Sequence, residues 1–115
     1  MAAEATVFGL LSGAAPVSAL VSNRIRPSTR PQDLPLPCIV FERMETEVVQ
    51  TISSNFVMSL ATMQVRSISA TMEQADAISD AARAALAVYT HTDRVSAYDP
   101  DADVFVSVTT YIVRD

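Results

Sequence analysis

Residues that could do acid–base or nucleophilic chemistry are few in this chain of 115 residues, and they stand apart in the sequence. His91 is the single histidine, the residue type best suited to proton transfer near neutral pH. Cys38 is the single cysteine and lies between Pro37 and Ile39, without the base or helix N-terminus that activates a thiol. We therefore expect Cys38 to be a small buried hydrophobic residue. We expect His91 to follow a helix C-terminus, where a cation is mildly favoured.

The aspartates near the C-terminus have a spacing that could hold a cation. Asp99, Asp101 and Asp103 are spaced like the first three ligands of a calcium loop. Val104 stands where that loop needs glycine, and Thr110 stands where it needs a bidentate acid. A solvated turn is the expected structure, with a loose cation site or an acidic contact surface as the alternative.

A second pair of acids lies one helical turn apart, at Asp76 and Asp80. Two such carboxylates do acid–base work only inside a cleft that separates their pKa values, and the nearby Arg83 favours an exposed ion-pair face instead. Gly9 and Gly13 are the only glycines, too few for a nucleophile elbow or a phosphate-binding loop. The sequence predicts no catalytic residue, no metal ligand and no cofactor.

Arginines are concentrated in one short segment, where Arg24, Arg26 and Arg30 fall within seven residues. The chain has eight arginines, no lysine and a net charge of −5, so it lacks the basic surface that grips DNA. Arginine is enriched at protein interfaces and pairs bidentately with carboxylates. We expect these arginines to lie either at a solvated loop edge or at a subunit or partner interface, with direct contact to DNA as the least favoured alternative.

Length and composition predict one domain over residues 1–115, with half of the residues hydrophobic and 18% charged. The apolar N-terminal stretch lacks a basic region and carries Glu4, which is unlike a signal peptide. No apolar run reaches the roughly 18 residues of a membrane span. A single cysteine allows no intramolecular disulfide, so we expect a protein made in a reducing cytoplasm.

The elements that must position these residues follow from hydrophobic periodicity and from glycine and proline. We predict helices at 4–12, 16–21 and 71–88, a proline-rich connector at 27–37, and strands at 24–26, 38–44, 59–70, 91–98 and 104–113. The fold class is α+β: an antiparallel-rich sheet of about four to five strands, with one long helix packed across it and short N-terminal helices.

Local patterns also predict which side chains are buried. Thr71 and Gln74 have capping-box spacing at the start of the long helix. The first strand after the connector is apolar on both faces, which favours a sheet that is covered on both sides. The first helix has an apolar stripe made of Val7, Phe8, Leu10 and Leu11.

A hairpin arm is predicted at residues 45–58, continuing the two flanking strands. Its apolar residues are too many for a free tip, because exposed apolar edges promote association. We expect the arm either to be a plain hairpin or to contact another subunit, through Val48, Val49, Ile52 and Phe56.

The order and spacing of four segments resemble one protein family over nearly the whole chain. They are PVSALVSNRIRP at 16–27, LPLPCIVF at 34–41, MQVRS at 63–67 and TMEQADAISDAARAAL at 71–86. This order is similar to that of the tail completion, or tail terminator, proteins of long-tailed bacteriophages and gene transfer agents. The family has no catalytic residues to transfer.

The resemblance implies a structural virion protein at the head-proximal end of the tail, assembled in the cytoplasm of the bacterial host. Such proteins form rings, usually hexameric, that stop growth of the tail tube, dock the head connector and leave a DNA channel. An acidic channel lets DNA pass without specific binding. A head-closure or tail-tube subunit of the same particle is the alternative. A small acidic enzyme or ligand-binding module, using His91, Cys38 or the aspartate turn, is the remote one.

Overall fold

The computed structural model describes residues 2–22, 24–27, 36–50, 57–92, 94–100 and 103–114, and its α+β architecture confirms the predicted fold class. The helices and strands, in chain order, are α1 (Ala2–Gly13), α2 (Ala15–Val21), β1 (Ile25–Pro27), β2 (Cys38–Gln50), β3 (Val57–Ser69), α3 (Met72–Ala85), β4 (Thr90–His91), β5 (Val95–Asp99) and β6 (Val104–Arg114).

One open sheet contains the six strands of the described residues, in the order β1-β2-β3-β6-β4, with β5 also paired to β6. The β1–β2 pair is parallel and the other pairs are antiparallel. The sequence predicted four to five strands, because the segment at 91–98 reads as one strand. In the structure it is divided into β4 and β5, which pair with different parts of β6.

The main core lies between one face of the sheet and the three helices. The long helix α3 buries Ala75, Ile78 and Ala82, as its spacing predicts, and Leu86 just after it is also buried. Fully burying one such aliphatic side chain contributes about 1.5–3 kcal/mol. The strand residues of this core include Ile39, Phe41, Ala61, Met63, Val65, Tyr111 and Val113.

The first helix differs from its prediction. Val7 and Leu11 are fully buried, whereas Phe8 and Leu10 of the same predicted stripe are exposed. Because α1 is apolar on nearly every side, periodicity alone does not select the face that meets the sheet. The exposed ring of Phe8 instead lies beside β2, with its centroid 6.3 Å from that of Phe41.

A second, smaller cluster covers part of the opposite face of the sheet. It contains Cys38, Val40, Ile68 and Val104, with Leu36 and Val106 packed against it. The apolar residues at the start of β2, from Cys38 to Phe41, are therefore buried on both faces, as predicted, and Cys38 is a buried small residue.

The N-terminal end of α3 shows half of the predicted capping box. Thr71 Oγ1 accepts a hydrogen bond from the Gln74 backbone N–H at 3.2 Å. The reciprocal bond is replaced, because the Gln74 side chain accepts from the Ser69 hydroxyl, and that hydroxyl also receives the Thr71 N–H at 3.5 Å. The helix ends at Ala85, three residues before the predicted end.

No single helix in the described part of the chain is long and apolar enough to cross a membrane. Helices α1 and α2 reach that length and composition only as a pair, and they are bent by 82° at their junction.

Strands β2 and β3 form the predicted long hairpin, with residues 51–56 outside the described residues. Their ladder runs from Cys38↔Ile68 to Gln50↔Val57, with a bulge at Met44, between Arg43 and Glu45. The β3–β6 ladder stops at Leu60↔Arg114. The hairpin therefore extends three residue pairs beyond the β3–β6 ladder.

Candidate functional site

Two of the predicted interface arginines, Arg24 and Arg26, lie at the β1 side of the sheet. Arg24 Nε donates to the Pro37 carbonyl oxygen at 2.7 Å, and the Arg24 carbonyl accepts from the Ile39 N–H at 2.9 Å. Arg24 thereby connects the end of the N-terminal helices to the start of β2. Arg26 is on β1 and is partly buried. Arg30 lies outside the described residues.

The predicted arm residues are described in part. Val48 is 64% exposed, and it is in register with Ser59 where the arm passes the end of β6. Val49 belongs to β2, but its side chain is outside the described residues, as are Ile52 and Phe56 entirely. The structure adds Met44, whose side chain is 52% exposed at the bulge. The sequence predicted a regular strand over 38–44, so it gave no sign of the bulge at Met44.

An ion pair at the bulge joins α1 to β2. Arg43 Nε and Nη2 donate to the two Glu4 carboxylate oxygens at 3.1 and 2.6 Å, while Nη1 donates to Thr46 Oγ1 at 2.7 Å. The hydrogen bonds from Arg43 lower the pKa of Glu4 to about 2. This bidentate arrangement fixes the helix against the strand just before the arm begins.

A second ion pair joins α3 to β5, and it corrects the predicted partner of the helix acids. Arg94, not Arg83, donates to Asp80 Oδ1 at 2.6 Å and to the Asp76 carbonyl at 3.3 Å. The Ser96 hydroxyl donates to Asp76 Oδ1 at 3.0 Å. The two carboxylates thus form an ion-pair face, as predicted, but the cation comes from the segment before β5.

Asp103 of the predicted aspartate turn makes a hydrogen bond within the chain. Asp103 has a positive φ of 54° and accepts a hydrogen bond from the Tyr98 hydroxyl at 2.5 Å. This bond raises the pKa of Tyr98. The Tyr98 and Phe105 rings lie 4.9 Å apart beside the turn. Asp101 is outside the described residues.

The residues considered for chemistry are not brought together. His91 is in register with Tyr111, whereas Cys38 is in register with Ile68, which pairs with Val106. The positions of Tyr111 and Val106 differ by roughly 17 Å along β6. His91 and Cys38 also lie on opposite faces of the sheet, because Tyr111 belongs to the main core and Cys38 to the second cluster.

A buried polar group lies under the end of α3. The Tyr111 hydroxyl is buried, and the described part of the chain offers it no hydrogen-bond partner; the same is true of Nε of Arg83. Burial raises the pKa of Tyr111, and the nearby charge of Arg83 acts against that rise. The His91 ring lies 5.9 Å from the Tyr111 ring. No sequence pattern singled out Tyr111 or the position of Arg83 above it.

The matches to known proteins include one family and two solved structures with a similar fold. The family model of tail completion protein gp17 matches residues 5–114. No curated protein matches the sequence. A chain in the virion of a native gene transfer agent particle superposes with a TM-score of 0.73 at 16% identity, over 94% of this chain and 90% of that one. The gp17 protein of bacteriophage SPP1 superposes with a TM-score of 0.56 at 20% identity, over 97% of this chain and 89% of that one.

The two structural likenesses show a shared fold, and the family match covers nearly the whole chain. The resemblance drawn from the order of sequence segments is therefore confirmed. The chain belongs to the tail completion protein gp17 family, whose members are structural proteins of the virion tail.

Proposed function

We propose that this protein is a tail terminator: a ring of identical subunits, usually hexameric, at the head-proximal end of the tail tube. The ring stops tube growth, joins the tail to the head connector and leaves a channel for DNA. The observation that carries the proposal is the family match over residues 5–114. The shared fold with a chain of a gene transfer agent virion supports it.

The exposed apolar surface of the chain supports subunit contacts. Large hydrophobic side chains are exposed on α1 at Phe8, at the bulge at Met44 and on the arm at Val48. Large apolar side chains that a small domain leaves exposed are available for contact with another protein. We place the contacts between subunits or partners on the arm and the β1 side, at Arg24, Arg26, Arg30, Val48, Val49, Ile52 and Phe56.

The proposed role needs no catalysis, and its partners are other virion proteins. The tail-tube protein and the head connector are the expected neighbours, with assembly in the cytoplasm of the bacterial host. DNA passes through the channel without specific binding, which agrees with a net charge of −5. Among the described residues, His91 and Cys38 are separated by the sheet, which gives an enzyme no shared site.

The test is deletion of the gene for this chain in particle-producing cells, followed by electron microscopy of the particles that the cells release. We expect unjoined heads and tails of uncontrolled length, and rings at the tail end when the chain is restored. Normal joined particles without the chain would contradict the proposal. Labelling along the whole tube, rather than at one end, would instead identify a tail-tube subunit.

A matched pair of variants tests the arm within the same assay. Val48→Asp places a charge on the arm, and Val95→Asp places one on β5 at the same exposure of 64%. We expect at least tenfold fewer joined particles for the arm variant only, because a buried unpaired charge at an interface is costly. Equal yields from both variants would remove Val48 from the interface.

A further inference from the structure

The described arginine side chains are all paired except one. Arg83 makes no hydrogen bond and no ion pair with any residue that the structure describes, and its Nε is buried without a partner among them. The others each bind a carboxylate or a carbonyl oxygen: Arg24 to Pro37, Arg26 to Ile25, Arg43 to Glu4, Arg66 to Glu42 and Arg94 to Asp80. Arg83 is thus the arginine side chain for which the described residues show no acceptor, neither a carboxylate nor a carbonyl oxygen.

The position of Arg83 also brings its charge close to a buried group. It lies in the last turn of α3, partly buried, where its charge acts on the buried Tyr111 hydroxyl. A guanidinium that is partly desolvated without a partner is less stable than one that meets a carboxylate. Its planar fork suits two carboxylate oxygens or two carboxylates at once.

Two acids on the arm are anions that lack a cation within the described part of the chain. Glu45 and Glu47 are exposed on β2, and neither makes an ion pair or a hydrogen bond within the described part of the chain. They are in register with Thr62 and Leu60, so both point to the same face of the sheet. Residues two apart on a strand are about 7 Å apart, so the two charges repel each other.

These groups cannot meet within one molecule. The acids are on the face of β2 that points away from the helices, whereas Arg83 is on a helix that covers the other face. Strand β3 also separates β2 from β6, the strand of Tyr111. The unpaired anions and the unpaired cation therefore lie on opposite faces of the sheet, an arrangement that favours head-to-tail contact between copies.

We propose that Arg83 of one copy binds the Glu45–Glu47 pair on the arm of the next copy. The arm extends three residue pairs past the β3–β6 ladder, which gives it reach toward a neighbour. The contact is heterologous, as a closed ring requires. It rests on the proposed ring and adds the two surfaces that join its subunits.

Charge exchange tests the contact in particle-producing cells that lack the native chain. Arg83→Glu and Glu47→Arg are each expected to lower the yield of joined particles about tenfold or more, because like charges then face each other at every contact of the ring. The chain with both changes keeps the wild-type net charge and restores the contact, so its yield should return to within about threefold of wild type.

Controls separate this contact from general effects of charge and stability. Glu73→Arg changes another exposed acid by the same charge and should keep the wild-type yield. Thermal unfolding midpoints of Arg83→Glu and Glu47→Arg should stay close to wild type, since neither residue has an ion-pair partner among the residues that the structure describes. If a charge variant does not fold, cysteines at positions 83 and 47 joined by a short bismaleimide give the same information. Covalent multimers should form only when both are present, because Cys38 is buried.

The outcomes distinguish the contact from the function on which it rests. Wild-type yields from both single variants, no rescue by the double variant, or absent cross-linking would overturn the contact while leaving the ring possible. If cells without the chain produce normal particles, the ring itself fails and the contact fails with it.

Discussion

The ion pair between Glu4 and Arg43 gives a sharp prediction about stability and pH. The substitution Glu4→Gln keeps the size of the side chain but removes the charge that the Arg43 guanidinium binds. In the folded chain the pKa of Glu4 is lowered from 4.5 to about 2, chiefly by the hydrogen bonds from Arg43. Taken at face value, this shift corresponds to about 3 kcal/mol of folding free energy at neutral pH.

Solvent reduces that figure. The Glu4 side chain is 37% exposed, so screening and side-chain freedom offset most of the interaction. We expect Glu4→Gln to lower the free energy of unfolding by about 1 kcal/mol at pH 7. Because the folded pKa is the lower one, the stabilisation is present above pH 4.5 and is lost as the pH falls toward 2.

Urea unfolding of both proteins at several pH values between 2 and 7 measures this effect. The difference between wild type and Glu4→Gln should shrink as the pH falls, and it should be nearly absent at the acid end. Glu73→Gln is the control, because Glu73 is exposed and makes no ion pair with the residues that the structure describes. A difference that stays constant over the whole pH range would refute the assignment of the stabilisation to this pair.

Four further changes test other features. Asp80→Ala should cost about 0.5–1 kcal/mol by urea unfolding, and the loss should largely vanish in an Arg94→Ala background. Thr71→Ala should cost about 1 kcal/mol in the same measurement, because it removes the cap of α3; no loss would contradict the cap. Tyr111→Phe should leave the unfolding free energy unchanged or raise it by up to about 1 kcal/mol, since its hydroxyl is buried without a partner. Ile52→Asp should weaken ring assembly and leave the thermal midpoint intact; unchanged rings would remove that position from the interface.

Local patterns in the sequence were sufficient for the elements that carry the core. The segment of α3 has a cap residue, regular apolar spacing and a polar outer face, and these local signals together predict a helix. The alternation of β3 likewise puts Ala61, Met63 and Val65 on one side of a half-buried strand, and the structure buries all three. These signals are contained within a few residues of each other.

The ion pairs could not be predicted from local patterns, because they join residues that are distant in the sequence. The pairing of Glu4 with Arg43 joins positions 39 apart, and Arg94 reaches Asp80 from 14 residues away. Helical spacing favours Arg83 as the partner of Asp80, and only the fold assigns that acid to Arg94. Arg83 becomes the unpaired cation as a result, so the proposed contact could not be found from sequence.

The bulge at Met44 gives β2 a tolerance to changes in length. On either side of it the strand keeps one alternation, so Glu42 and Glu45 share a face although three positions separate them. Met44 is the extra residue of the bulge, and it has no partner on β3. A relative of this protein that lacks one residue here would pair as a regular strand and still present the same side chains on each surface. A single-codon gain or loss at this point would thus leave the outward chemistry of the arm unchanged, whereas the same event a few residues further along would invert everything beyond it.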